Sequence, residues 1–352
     1  MLSASATSQQ AICRYCLQNG RNSPTPRPLS SSISSSPKGK SSLVSQRVVL
    51  KLRIHSHSRK NSRISAAIAT GSSDQADPCK APKAQTCPLT REDLFASIRE
   101  EALSDSRNEP TLASMLYATI LSHDSLTYSI SFVLANKLGN QDLHPSQLVD
   151  IFRQAFDNDP PSKKAMQADL CAVYERDPAC DKYSQCLLYF KGFQAIQAYR
   201  VAHWLWTSGR KTLALALQSR ISEVFQVDIH PAARIGSGIL LDHATGVVIG
   251  ETAVVGDNVS ILHNVTLGGT GAQGGDRHPK VGDGVLIGAG VSILGNVKIG
   301  EGSKIGAGSV VLKEVPPHET AVGVPAKLLK AKKLVHEPSM DMDQTSFADY
   351  MI

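Results

Sequence analysis

The first 73 residues of this 352-residue chain contain no aspartate or glutamate, although they hold eleven lysines and arginines. The formal net charge of +6 therefore belongs to that segment, and residues 74–352 carry −5 once those eleven are set aside. A basic total of this origin gives no reason to expect a nucleic-acid or anionic-membrane surface on the folded part. The segment also lacks the continuous apolar stretch of a secretory signal and is rich in serine, including Ser30 to Ser32 and Ser34 to Ser36. An acid-free, arginine-containing, serine-rich leader reads as an organelle transit peptide. Ile64-Ser-Ala-Ala67 resembles a plastid processing site. Chloroplast is thus favoured over mitochondrion, with a disordered basic tail as the bland alternative.

Cysteine is absent after Cys186, and the seven present (13, 16, 79, 87, 171, 180 and 186) follow no regular spacing. The C-terminal half therefore needs no disulfide or thiolate, which suits a reducing compartment. Cys13 and Cys16 form a C-x-x-C inside the leader, without the second pair or βαβ context of a metal or redox motif. No run of about eighteen apolar residues occurs, so a membrane span is not expected.

What is present divides the chain into five parts. A leader (1–73) and a Pro- and Lys-containing linker (74–88) precede a helical region (89–226). Thr90-Arg-Glu-Asp93 has the form of a capping box, followed at helical spacing by Leu94, Phe95 and Ile98. Pro110 suits the first turn of a second helix through Met115, Leu116 and Ile120, and Gly139 ends a third. Further helices are expected over about 146–156, 162–175 and 186–208. The last is strongly apolar, with Phe190, Phe193, Ile196, Tyr199, Val201, Trp204 and Trp206 packing against other helices or against another copy.

From Val227 the period changes to six. Ile229, Ile235, Leu241, Val247, Ala253, Val259 and Val265 form one run, and Val281, Ile287, Ile293, Ile299, Ile305 and Val311 a second. This spacing predicts an α+β chain in which an all-α helical cap precedes a left-handed parallel β-helix of hexapeptide repeats (227–327). Glycines such as Gly236, Gly288, Gly300 and Gly306 are expected to give the corners backbone freedom. The step from Val265 to Val281 is one hexad plus an insertion of ten residues, and Asp276-Arg-His-Pro-Lys280 closes it. Gly269-Thr-Gly-Ala-Gln-Gly274 fits G-x-G-x-x-G, but hexads flank it where a nucleotide site needs a following helix. The tail, 328–352, shows no fold signal.

Four histidines crowd the repeat: His230, His243, His263 and His278. Asp228 lies fifteen residues before His243, three short of an eighteen-residue coil, so the two fall on adjacent coils half a face apart. A carboxylate there suits a His-Asp general-base pair, and a surface hydrogen bond is the plain alternative. Arg277 is suited to a bidentate grip on a substrate carboxylate.

Together these residues carry a family resemblance. Val173 to Ala179 with its Arg-Asp-Pro-Ala, Phe190-Lys-Gly-Phe193, Val227-Asp-Ile-His-Pro-Ala-Ala233, Leu240-Leu-Asp-His-Ala-Thr-Gly246, Val265-Thr-Leu-Gly-Gly-Thr-Gly271, Gly275-Asp-Arg-His-Pro-Lys280 and Gly323-Val-Pro-Ala326 resemble plant-type serine O-acetyltransferases over about 90–327. The resemblance implies transfer of the acetyl group of acetyl-CoA to L-serine, the committed step of cysteine biosynthesis, with no metal. It implies His243 as general base oriented by Asp228, Asp177 and Asp242 on the serine amino group, and Arg277 and His278 on its carboxylate. Backbone amides around Gly268 and Gly269 would hold the oxyanion. Coenzyme A would lie along the prism at Gly269, Ala289, Ala307 and Lys327. Family members form homotrimers that pair into homohexamers through the helical caps, and cysteine inhibits them at the serine site. Their tail enters O-acetylserine (thiol) lyase, here through Tyr350, Met351 and Ile352. This tail departs from the common one, ending in Asp-Tyr-Met-Ile without the preceding Glu-Trp.

Three rivals have their own discriminators. A gamma-class carbonic anhydrase needs two zinc-ligand histidines five residues apart, and His230 and His243 are thirteen apart. Other hexapeptide acyltransferases, acting on sugars or antibiotics, usually lack so large a helical cap and the two aspartates matched here to an amino group. A pure docking scaffold would need Tyr350 to Ile352 but not His243.

Overall fold

The computed structural model describes residues 91–271, 274–329 and 338–343, all within the compact unit Gln75–Ile352. The leader, the linker, Thr90 of the expected capping box, and Tyr350, Met351 and Ile352 lie outside the described residues.

Helices α1 (Arg91–Asn108), α2 (Ala113–Leu116), α3 (Leu126–Leu138), α4 (Pro145–Asn158), α5 (Pro160–Arg176), α6 (Tyr183–Tyr189), α7 (Lys191–Thr207) and α8 (Lys211–Phe225) precede the first strand. Proline and glycine set several limits. Prolines open α4 and α5, where a missing N–H breaks no helix bond, and α3 stops before Gly139 as expected. Pro110 instead begins a 3-10 turn, Pro110–Leu112, and the chain then passes through α2 into a π-helical turn, Tyr117–Leu121. The single helix expected over 186–208 is two, because Phe190 is extended (φ −83°, ψ 101°) and turns the chain between α6 and α7. Helix α8 is not foreseen by the sequence reading, although its buried face, Ala214, Leu217, Ile221 and Phe225, has helical spacing. On α7, Phe193, Ile196, Tyr199 and Val201 are buried, while Phe190, Trp204 and Trp206 pack against the core from a half-buried position.

Beyond α8 the chain winds over three sheets in turn, forming the expected parallel β-solenoid. Sheet A holds β1 (Val227–Ile229), β4 (Val247–Ile249), β7 (Thr266–Gly268), β10 (Ser292–Leu294) and β13 (Val310–Val311). Sheet B holds β2 (Arg234–Ile235), β5 (Val254–Val255), β8 (Lys280–Val281) and β11 (Lys298–Ile299). Sheet C holds β3 (Leu240–Leu241), β6 (Ser260–Ile261), β9 (Leu286–Ile287), β12 (Lys304–Ile305), β14 (Thr320–Gly323) and β15 (Ala326–Leu328), the last folding back antiparallel on β14. Residues 227–327 contain no Phe, Tyr or Trp, so the shaft is aliphatic. Ile249, Val255, Ile261, Leu267, Val281 and Ile287 are each at most 3 % exposed. Each such side chain contributes about 1.5–3 kcal/mol by leaving water.

The register corrects the period in two places. Val227 pairs with Val247 and Ile229 with Ile249, twenty residues on, whereas Val248 pairs with Thr266 at eighteen. The strand-centred residue after Leu241 is therefore Ile249, and two extra residues sit in the turn 242–246. Val247, Ala253, Val259 and Val265 are buried as well, two places earlier in their hexads. Val255 pairs with Val281, twenty-six residues on, so the later insertion is eight residues rather than ten. The repeat thus has two breaks, and the first one carries His243.

The corner glycines are needed for a different reason from the one expected. Gly236, Gly288 and Gly300 do not have positive φ. A Cβ at Gly288 would lie 2.6 Å from the Ala307 nitrogen, and one at Gly300 2.3 Å from that of Pro317. Close approach of the next coil excludes a side chain there.

A buried ion pair locks helices to solenoid. Asp169 of α5 and Arg200 of α7, 0 % and 5 % exposed, approach to 2.7 Å. Asp169 also accepts from Gln197 (2.8 Å) and the Ile239 N–H (2.9 Å), and Arg200 donates to the Gly236 carbonyl (2.7 Å). Desolvation of the pair is offset because its polar atoms are so well partnered. A last short helix, α9 (Pro338–Asp341), lies over sheet C, where the Ser260 hydroxyl donates to the Ser339 carbonyl at 2.9 Å.

Candidate active site

The first break forms the corner where the chain leaves sheet C for sheet A. His243 and Ala244 both take left-handed φ, 55° and 58°. The Ala244 N–H donates to the Asp242 carbonyl (2.6 Å) and the Thr245 N–H to that of His243 (2.7 Å), giving two successive three-residue turns. Such conformations cost of order 1–3 kcal/mol each in non-glycine residues and persist only where the surroundings hold them. Here Gly246 N–H donates to Gln226 O (2.8 Å) and Asn264 N–H to Thr245 O (2.7 Å). The turn pushes the His243 side chain outward, 75 % exposed, with Nε2 3.8 Å from the Asp242 carboxylate. Its ring meets that of His263 edge-on, centroids 5.8 Å apart.

A cavity of about 300 Å³ opens at this corner, lined by Asp177, Lys191, Gly192, Leu241, Asp242 and His243 among others. Asp177 sits where α5 ends, and its carboxylate accepts the Ala179 N–H at 2.8 Å. The preceding Arg176 is buried and fastens that end to the solenoid, donating to the Gly238 carbonyl (3.0 Å) and the Ser260 hydroxyl (3.2 Å). Gly192 brings the start of α7 against β3, since a Cβ there would lie 2.0 Å from the Leu241 carbonyl oxygen. Burial pushes the Asp242 carboxyl above its ordinary range, His243 opposes this, and the nearby Asp177 charge adds to it. Asp177, Asp242 and His243 are thus brought together.

Asp228 lies on β1, paired with Val248 and so five residues past His243, not three; the two-residue turn insertion makes the difference. Its carboxylate accepts from Gln218 Nε2 at 2.7 Å, and in this chain no hydrogen bond joins it to His243.

The eight-residue insertion forms another corner, between sheets A and B. Arg277 donates to Glu251 at 2.9 Å, which holds that carboxyl below its ordinary range. The Arg277 and His278 N–H groups both donate to the Thr252 hydroxyl (3.0 and 3.1 Å). The His278 Nδ1 accepts the Thr252 N–H (3.1 Å), so a neutral ring carries its proton on Nε2. Gly250 makes room for that ring, because a Cβ would stand 2.1 Å from its Nε2. Burial, then the Arg277 charge, keeps the His278 imidazole below its ordinary value, and burial does the same for His230. Gly269 lies beside the Arg277 side chain. A fixed guanidinium and a neutral N–H donor side by side suit a carboxylate.

Within one chain the two clusters stay apart, one on the C–A edge of the prism and one on the A–B edge. Ala289 and Ala307 continue the C–A edge above His263, for Gly290 N–H donates to His263 O (2.9 Å) and Gly308 N–H to Ala289 O (2.7 Å). Lys327 faces Val322 where β15 turns back on sheet C. The sequence alone gives no signal for Glu251 or Thr252, places Lys191 only within Phe190-Lys-Gly-Phe193, and marks His263 only as one of the four histidines of the repeat. Among the described residues, no group of three or more His, Cys, Asp or Glu is placed to hold a metal ion, and no helix is long and apolar enough to cross a membrane.

Comparison with known proteins gives a consistent result. Residues 94–198 match a family described as serine acetyltransferase, N-terminal, and residues 278–313 match the bacterial transferase hexapeptide (six repeats). The probable serine acetyltransferase 1 of Oryza sativa subsp. japonica is 62 % identical over 263 residues, 74 % of this chain and 87 % of that one. Serine acetyltransferase 3, mitochondrial, of Arabidopsis thaliana is 58 % identical over 269 residues, covering 74 % and 69 %. Among solved structures, soybean serine acetyltransferase complexed with serine is 64 % identical, with a TM-score of 0.68 over 69 % of this chain and all of that one. The enzyme from Brucella abortus strain S19 in complex with coenzyme A is 54 % identical, with a TM-score of 0.66 over 67 % and 94 %.

Proposed function

The chain belongs to the serine acetyltransferase family, and from that premise we propose that its acetyl transfer from acetyl-CoA to L-serine runs in a site completed by two copies of the chain. The observation that carries this is the separation of two complementary half-sites on two edges of one prism. A zwitterionic amino acid needs anions for its ammonium and a cation for its carboxylate. Asp177 and Asp242 supply the former on the C–A edge. Arg277, assisted by the Nε2–H of His278, supplies the latter from the A–B edge of a neighbouring copy. Three prisms side by side set one edge of each against the other edge of the next, which makes the homotrimer the minimal active unit.

In that groove His243 accepts the proton of the serine hydroxyl as its oxygen attacks the thioester carbon. Amides around Gly268 and Gly269 hold the oxyanion. Collapse breaks the C–S bond, and the imidazolium returns its proton to the leaving thiolate, so both products leave neutral at the reacting atoms. Asp228 is the orienting carboxylate only where the assembled site brings it to the histidine, because within one chain it is held by Gln218. Coenzyme A lies along Ala289, Ala307 and Lys327, with Gly269 from the facing edge. Trimers pair through the helical caps, and Tyr350, Met351 and Ile352 dock into O-acetylserine (thiol) lyase. The acid-free, serine-rich leader supports a chloroplast destination, with the mitochondrion as the alternative.

The test is CoA release from acetyl-CoA with L-serine against a panel of other amino acids and sugars. Preference for L-serine, lost in His243→Ala without loss of assembly, is the expected result. Equal turnover of a sugar acceptor, or near-normal turnover by His243→Ala, would overturn it.

A further inference from the structure

Lys191 is the first residue of α7 and lines the same cavity as Asp177, Asp242 and His243. Its ammonium donates to the hydroxyl of Thr245. That hydroxyl in turn donates to the His243 carbonyl at 3.4 Å, and the same carbonyl accepts the Thr245 N–H at 2.7 Å. A cation on a helix therefore closes, from outside, the turn that carries the histidine.

The turn has a physical need for such a clamp. His243 and Ala244 are consecutive non-glycine residues with left-handed φ, a conformation that an unrestrained peptide leaves readily. Backbone bonds to Gln226 and Asn264 fix its trailing end, at Gly246 and Thr245. Lys191 adds a side-chain restraint on Thr245 itself, and the adjacent Gly192, wedged against the Leu241 carbonyl, fixes where that restraint starts.

We propose that Lys191 is a positioning residue for acetyl transfer, acting through Thr245 to fix the direction in which His243 meets the acceptor hydroxyl. The inference rests on His243 being the general base. It does not require the ammonium to touch substrate. A misplacement of about 1 Å in a reacting group costs roughly 100-fold in rate, so Lys191→Met is expected to lower kcat by about that factor. The KM values for L-serine and acetyl-CoA should stay within about threefold, since the binding groups are untouched. Lys191→Arg, which keeps a donor, should recover part of kcat. Thr245→Val should reproduce the loss, and the double variant should be no worse than either single one.

Steady-state kinetics on the assembled full-length protein, with melting temperature and oligomeric state checked alongside, decide it. A kcat unchanged in both Lys191→Met and Thr245→Val overturns the proposal. So does a loss in Lys191→Met confined to the serine KM with Thr245→Val unaffected, because that pattern belongs to a charge acting on substrate. If Lys191→Met does not assemble, Thr245→Val decides alone. An inactive His243→Ala beside a normal Lys191→Met removes only this inference, whereas an active His243→Ala removes the general-base role on which it rests.

Discussion

Replacing Gly192 by alanine adds one methyl group where the structure has no room for it. The new Cβ would stand 2.0 Å from the Leu241 carbonyl oxygen, while ordinary contact begins at 3.4 Å, so α7 and β3 must part by about 1.4 Å. Both sides of the contact are backbone, one a helix start and the other a strand, and neither yields by rotating a side chain. Overpacking of this kind costs about 1–3 kcal/mol, and the backbone nature of the contact argues for the upper end. At roughly 2.1 cal/mol/K per residue, about 3 kcal/mol in a folded part of roughly 250 residues is a fall in melting temperature of roughly 6 °C. Function should suffer more than stability. The same movement carries Lys191 and Phe190 away from Asp242 and His243, and a shift of that length costs on the order of 100-fold in kcat/KM. CoA release and thermal melts on the same preparation read both effects. Gly271→Ala is the control, for nothing lies within 4 Å of a Cβ there, and a change within about 0.5 kcal/mol is expected. A Gly192→Ala enzyme with activity within twofold of the parent and an unchanged melt would refute the close contact as the device that forms the cavity.

Two further predictions concern charge. Asp177→Asn removes a like charge that helps to raise the Asp242 carboxyl, so the acid limb of kcat/KM for serine should move to lower pH. On the role proposed for Asp177, the same variant loses a charge-assisted hydrogen bond to the serine ammonium, worth about 1.5–3 kcal/mol, so its serine KM should rise roughly 10- to 150-fold; a pH–rate profile that keeps its acid limb in place would contradict this. His278 and His230 are held below their ordinary value of 6.5, so the unfolded chain binds more protons than the folded one in mild acid. Their contribution is in place above pH 6.5 and is lost as the pH falls through the lowered folded values. His278→Gln should therefore flatten the decline of melting temperature over that window, and an unaltered decline would count against the burial of the ring as its cause.

The solenoid was legible because every coil must fill its shaft, and a shaft without aromatics leaves an uninterrupted aliphatic period. Its register was not, because each hexad buries two aliphatic positions, two residues apart. Val247, Ala253, Val259 and Val265 therefore satisfy a count of six while standing outside the strand-centred column. The break between α6 and α7 is hidden in the same way, since the residues on both sides of Phe190 are apolar. Corner glycines were foreseen at the right places, but the constraint is the backbone of the next coil, which a sequence does not display. Of the site, the clusters around His243 and Arg277 follow from motifs, and their placement on different edges follows only from the topology. Lys191 escaped notice because a lysine at the start of a helix has no signal of its own; its contact lies 54 residues ahead.

Placement on two edges gives the most direct measurement. On the proposed roles, His243→Ala and Arg277→Ala should each be inactive alone, one lacking the base and the other the grip on the serine carboxylate. Co-expressed in equal amounts and assembled at random, they should regain activity, because a site that takes its C–A edge from one variant and its A–B edge from the other is intact. In a ring of heterologous contacts about a quarter of all sites formed at random meet that condition, so the co-expressed population as a whole should show about a quarter of the parent turnover. No activity in the mixture, with mixed assemblies shown to form, would contradict a site shared between copies and return all of its groups to a single chain.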